Sequence, residues 1–76
     1  MNNINIRMLR KSSNLTQSQM ASKMGLAQST YSQKEQGLIN WTLPDFIFIK
    51  RNFNVKLEDI EEFKSMEKKV LNKLNL

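Results

Sequence analysis

Neither cysteine nor histidine occurs among the 76 residues. Disulfides, thiolate ligands and cysteine nucleophiles are thereby excluded, as are the usual zinc sites and most imidazole general-base chemistry. One proline and two glycines are the only strong breaks in the chain, and no internal repeat or low-complexity segment is visible. No apolar run approaches the ~20 residues that a bilayer span requires. Met1-Asn2-Asn3 leads into a charged segment rather than an apolar stretch with a cleavage site. No secretory signal is therefore expected, and the expected compartment is the cytoplasm. Without a glycine-rich phosphate loop or the length for a deep pocket, no enzyme activity, cofactor or metal is expected. The length allows one small core, near the lower limit for independent folding, so a second copy could supply part of the stability.

What is present is positive charge, unevenly placed. The net charge is +5. Residues 1–57 carry Arg7, Arg10, Lys11, Lys23, Lys34, Lys50, Arg51 and Lys56 against Glu35 and Asp45, a balance of +6. Residues 58–76 carry Lys64, Lys68, Lys69 and Lys73 against Glu58, Asp59, Glu61, Glu62 and Glu67, a balance of −1. A cationic body suits a polyanionic partner, and the balanced tail suits a protein contact. Simple solubility explains the same charge equally well.

Apolar spacing predicts an all-α chain of five helices. The first spans about residues 3–13, with Ile6 and Leu9 on one face, and Asn14 suits a left-handed cap. Thr16 starts the second, where Thr16 and Gln19 have the spacing of a capping box. Met20, Ala21 and Met24 form its buried face, and Gly25 ends it. The third, residues 28–36, surrounds a single apolar anchor, Tyr31, with Gln28, Ser29, Thr30, Ser32, Gln33 and Gln36, and stops at Gly37. Such a segment has little intrinsic reason to be helical, so it is either marginal or polar because it meets something polar. A fourth helix begins near Leu43, tolerates Pro44 in its first turn, and is apolar on more than one face through Phe46-Ile47-Phe48-Ile49. The fifth is expected from Glu58 onward, with Ile60, Phe63, Met66, Val70 and Leu74 spaced three or four apart.

The stretch Leu15-Thr16-Gln17, Met20-Ala21, Gly25, Tyr31, Glu35 and Gly37 resembles the Xre/Cro family of lambda-repressor-like helix-turn-helix domains. The likeness runs over roughly residues 4–60 and takes in Leu43, Phe46 and Phe53-Asn54-Val55. It implies a compact five-helix DNA-binding domain at residues 1–60, with residues 61–76 as a helical extension, and places the third helix in the major groove. Gln28, Ser29, Thr30, Ser32 and Gln33 then become the positions for base reading or nearby phosphate contact. Glutamine suits that task because its amide can meet adenine with both a donor and an acceptor. Gln28 could equally serve as a capping residue, and Gln33 as a solvated amide. By the same resemblance Gln17 meets backbone phosphate at a helix start, the loop of Asn40, Trp41 and Thr42 touches phosphate, and Arg10 pairs with Glu35 while lying near enough to help hold a phosphate. Trp41 could instead pack on the domain or at a dimer contact.

Two departures from the family pattern stand out. Ala27 occupies a cap position where serine or threonine is common, and Lys34 and Lys50 stand where small or apolar residues are usual. The lysine stems are expected to lie along the core edge with the ammonium groups in water.

One recognition helix reaches only a few base pairs, so two copies across adjacent half-sites are expected. Phe48, Phe63, Met66, Val70 and Leu74 are the candidate surface for a homodimer; alternatively the last helix folds back on its own domain. The function expected is a sequence-specific transcriptional regulator, a repressor. An antitoxin that grips a protein partner through the apolar last helix is the alternative.

Overall fold

The computed structural model describes residues 3–74, with side chains as far as Leu71. Five α-helices follow in order: α1 Ile6–Ser12, α2 Gln17–Met24, α3 Gln28–Glu35, α4 Leu43–Phe53 and α5 Glu61–Leu74. A single 3-10 turn, Leu57–Asp59, precedes α5. Among the described residues the only extended pairing is a parallel bridge between Ile4 and Ile60.

Local chemistry accounts for most helix ends. The Thr16 side chain accepts from Gln19 N–H, and the Gln19 side chain accepts from Thr16 N–H, the expected box. A second box joins Thr42 and Asp45 at the start of α4, one turn around Pro44. Gly25 closes α2 in the left-handed region at φ 70°, where Leu26 N–H reaches back to Ala21 O. A side chain would find open space there but would be strained by the backbone angle alone. Asn14 and Asn54 take the same conformation after α1 and α4.

Two boundaries differ from the sequence reading, for one reason. The first helix was expected from residue 3 but starts at Ile6, capped by the Asn5 side chain on Met8 N–H at 2.8 Å. The fifth was expected from Glu58 but starts at Glu61. Ile4 N–H donates to Asp59 O and Glu61 N–H donates to Ile4 O, both at 2.9 Å. That exchange holds residues 3–5 and Ile60 extended, so neither helix can run through them.

The core gathers Ile6, Leu9, Met20, Ala21, Tyr31, Trp41, Phe46, Ile49 and Ile60, all buried. Ala21, 2% exposed, allows the close approach that its size suggested. Phe63 meets Phe46 edge-on, ring centres 5.3 Å apart, and so fastens the first turn of α5 to α4.

Candidate nucleic-acid interface

The turn at residues 25–27 sets α3 across α2. Because Ala27 supplies no side-chain hydrogen bond, α3 begins uncapped. Its coherence must come from tertiary contacts. At ~100° per residue, Gln28, Ser32, Gln36, Ser29 and Gln33 fall within an arc of about 140°, and Tyr31 and Lys34 fall opposite. Burial follows that division. Gln28, Ser29, Gln33 and Gln36 are exposed, Ser32 and Thr30 are half-buried, and Tyr31 and Lys34 are buried. Gln36, not among the expected contact positions, shares the outer arc and donates to Ser32 Oγ at 2.9 Å. Its spacing from Ser29 and Ser32 was the available signal.

The inner side of α3 is held by two ion pairs at consecutive positions. Glu35 receives Arg10 Nε at 2.7 Å, with side chains 9% and 4% exposed. The same carboxylate accepts from Gln17 Nε2 at 3.0 Å and from the Tyr31 hydroxyl. Three side chains, one each from α1, α2 and α3, therefore converge on one carboxylate. Burial alone would raise the Glu35 pKa, but hydrogen bonds from Arg10, Tyr31 and Gln17 outweigh it and hold the group below its ordinary value. The hydrogen bond to Glu35 raises Arg10 further, against the opposing pull of burial. Burial, then the bond to Glu35, pushes the Tyr31 phenol well above its usual value.

Lys34 forms the second pair, with Asp45 at the start of α4. The expected solvated ammonium is a misreading. Lys34 is 8% exposed, its Nζ bonds the Asp45 carboxylate, and it lies 5.7 Å from the centre of the Trp41 ring. Asp45 also accepts from Thr42 N–H at 2.9 Å, so the α4 cap supplies the counter-charge that makes burial of this lysine tolerable. Trp41 packs edge-on against Tyr31 at 5.7 Å and belongs to the core rather than to an outward surface. Lys50 is exposed, as expected.

Arg10 needs a similar correction. It was expected near enough to help hold a phosphate, but it is 7% exposed. Its Nε and one terminal nitrogen face Glu35, and the other donates to Leu15 O at 2.8 Å. All three of its nitrogens are thus engaged within the domain, and its charge is matched by Glu35. Gln17 is half-buried, with one amide hydrogen on Glu35; the amide's second hydrogen and the first N–H groups of α2 are outside that bond. Asn40 is exposed in the loop, and Thr42 is exposed while capping α4. With Arg10 and Lys34 neutralised internally, the cations of the body that reach solvent are Arg7, Lys11, Lys23, Lys50, Arg51 and Lys56.

The apolar candidates for a contact between copies divide. Phe48, Phe63 and Met66 are partly buried against the chain's own core. Val70 is 49% exposed, and the neighbouring Leu71, not singled out from the sequence, is 57% exposed. The Leu74 side chain lies outside the described residues. On α4 the exposed apolar residues are Leu43 and Ile47 rather than Phe48.

An all-helical domain with a left-handed turn between α2 and a polar, outward-facing α3 is the architecture of a helix-turn-helix DNA-binding protein. Residues 6–60 match the family described as Helix-turn-helix, and the chain belongs to it, in the Xre/lambda-repressor-like branch. No curated protein and no solved structure matches. Membership makes this a DNA-binding regulator fold, and none of the described helices is long and apolar enough to cross a membrane.

Proposed function

We propose that the chain is a sequence-specific transcriptional repressor of the cytoplasm, with no enzymatic step, that reads the major groove of double-stranded DNA through residues 28–36. One observation carries the reading. The outer arc of α3 presents Gln28, Ser29 and Gln33 to solvent, while two buried ion pairs fix the opposite side. Amides carried on a helix held in place can read base edges with little loss of helix freedom on binding. Thr30 flanks that arc, and Ser32 lies half-buried within it. Gln17, Asn40 and Thr42 surround it as positioning contacts to phosphate, together with backbone N–H groups at the α2 start. The free cations of the body supply the sequence-independent attraction.

Residues 1–60 act in this reading as the reading unit, and residues 61–76 as the extension that joins two copies. The half-exposed apolar stripe of α5 supports a homodimer through Phe48, Phe63, Met66, Val70 and Leu74. The same exposed end of α5 favours the second reading, an antitoxin whose last helix grips a different protein.

Selection of binding sites from random DNA tests the proposal. The intact protein should enrich a defined half-site, and Gln28→Ala and Gln33→Ala should each lose preference at particular bases while keeping salt-sensitive binding. Equal, weak affinity for every duplex would overturn it.

A further inference from the structure

The apolar stripe of α5 is covered at one end only. Phe63 and Met66 lean on the body, whereas Val70 and Leu71, about one turn beyond Met66, stand about half in solvent. Charge along the segment is equally lopsided. Glu58, Asp59, Glu61, Glu62 and Glu67 precede the last turns with only Lys64 among them, and Lys68, Lys69 and Lys73 follow. Laid parallel, two such helices would set lysine beside lysine and glutamate beside glutamate. Laid antiparallel, the basic end of each would run beside the acidic start of the other. The segment is therefore complementary to itself in one orientation only.

We propose that the partner of this surface is a second copy of the chain, with the two α5 helices antiparallel about a two-fold axis near Glu67 and Lys68. This rests on the homodimer reading above and adds its orientation and register. Val70 of each copy then packs beside Met66 of the other. Lys64 and Leu71, which share one flank of α5 at ~100° per residue, come opposite each other across the axis. Some charge excess remains at the acidic starts, so pairing should weaken with added salt but persist through the apolar contact.

Because the chain has no cysteine, single introduced thiols give an unambiguous readout. Lys64→Cys and Leu71→Cys, both at exposed positions, are prepared separately and oxidised alone and mixed. An antiparallel pair gives a disulfide dimer in the mixture and little in either protein alone. A mixture that gives no more disulfide dimer than either protein alone, while sedimentation still shows a dimer, would overturn the antiparallel pairing and leave the homodimer intact. Sedimentation of the intact chain should show a dimer that Val70→Asp dissociates at least tenfold. A monomer at every concentration up to hundreds of micromolar would overturn it too, including the case in which a different protein covers the stripe. Half-site selection by the Val70→Asp monomer separates these failures from failure of base reading by α3.

Discussion

Helix α3 buries one aromatic ring and a lysine, yet ion pairs tie it to both α1 and α4. Helix α5 carries a well-formed apolar stripe, yet Val70 and Leu71 stand about half in solvent. Amphipathic pattern alone would rank α5 as the more firmly seated of the two, and the contacts rank them the other way. A helix whose outer face must stay polar has little apolar area with which to bind its own domain, so buried charge pairs hold it instead. A helix with apolar area to spare is tied down by a partner, or not at all.

The largest effect should come from Glu35→Ala, which strips Arg10, Tyr31 and Gln17 of their common acceptor. Chemical denaturation should register a loss of about 3–5 kcal/mol, the usual cost of leaving one member of a buried pair unmatched. Val70→Asp should leave monomer stability within about 0.5 kcal/mol, as surface changes generally do. An equal loss from both would erase the contrast between the two helices.

Gln28→Ala and Gln33→Ala should leave the melting temperature nearly unchanged while lowering discrimination at their own base pairs by about 1–3 kcal/mol, measured by competition binding. A large fall in stability would mean that the outer arc serves the fold instead. Ala27→Ser, which offers α3 the missing cap, should raise stability by about 1 kcal/mol in the same denaturation assay. No gain would show that water already satisfies the first N–H groups of α3.

The smallest effect is in the pH dependence. The Glu35 pKa is depressed in the fold, so its stabilisation is present above the ordinary carboxylate value and is lost as pH falls through the folded value. Burial raises the pKa of Glu62, whose carboxylate accepts from Ile6 N–H at 3.2 Å, so its contribution has the opposite sign. It is present below the ordinary value and lost as pH rises through the folded one. Glu62→Gln should therefore gain stability relative to the parent chain between about pH 4 and pH 7, followed by thermal melts in a pH series. A gain that shrinks over that interval would contradict the assignment.

Residues whose neighbours lie within a few positions were legible in the sequence. The Thr16–Gln19 box, the left-handed Asn14 and Gly25, the apolar faces of α1 and α2 and the polar arc of α3 all follow from local geometry. The Thr42–Asp45 box is equally local, and its spacing is the signal that places Thr42 at the start of α4. Lys34 could not be read in isolation. A lysine at a core edge is normally solvated, and only the arrival of Asp45 and Trp41 from the next helix reverses that expectation.

The sequence by itself determined the helical class, the turn between α2 and α3 and the character of the outward face, because these depend on residue spacing and backbone preference. Tertiary structure alone decided where α1 and α5 begin, that Arg10 turns inward and that Lys34 is buried. Each of those outcomes needs a partner far along the chain: Ile60 for Ile4, Glu35 for Arg10, Asp45 for Lys34. Whether a charge or a backbone amide leaves water depends on what meets it there, and that is settled only when the distant elements pack.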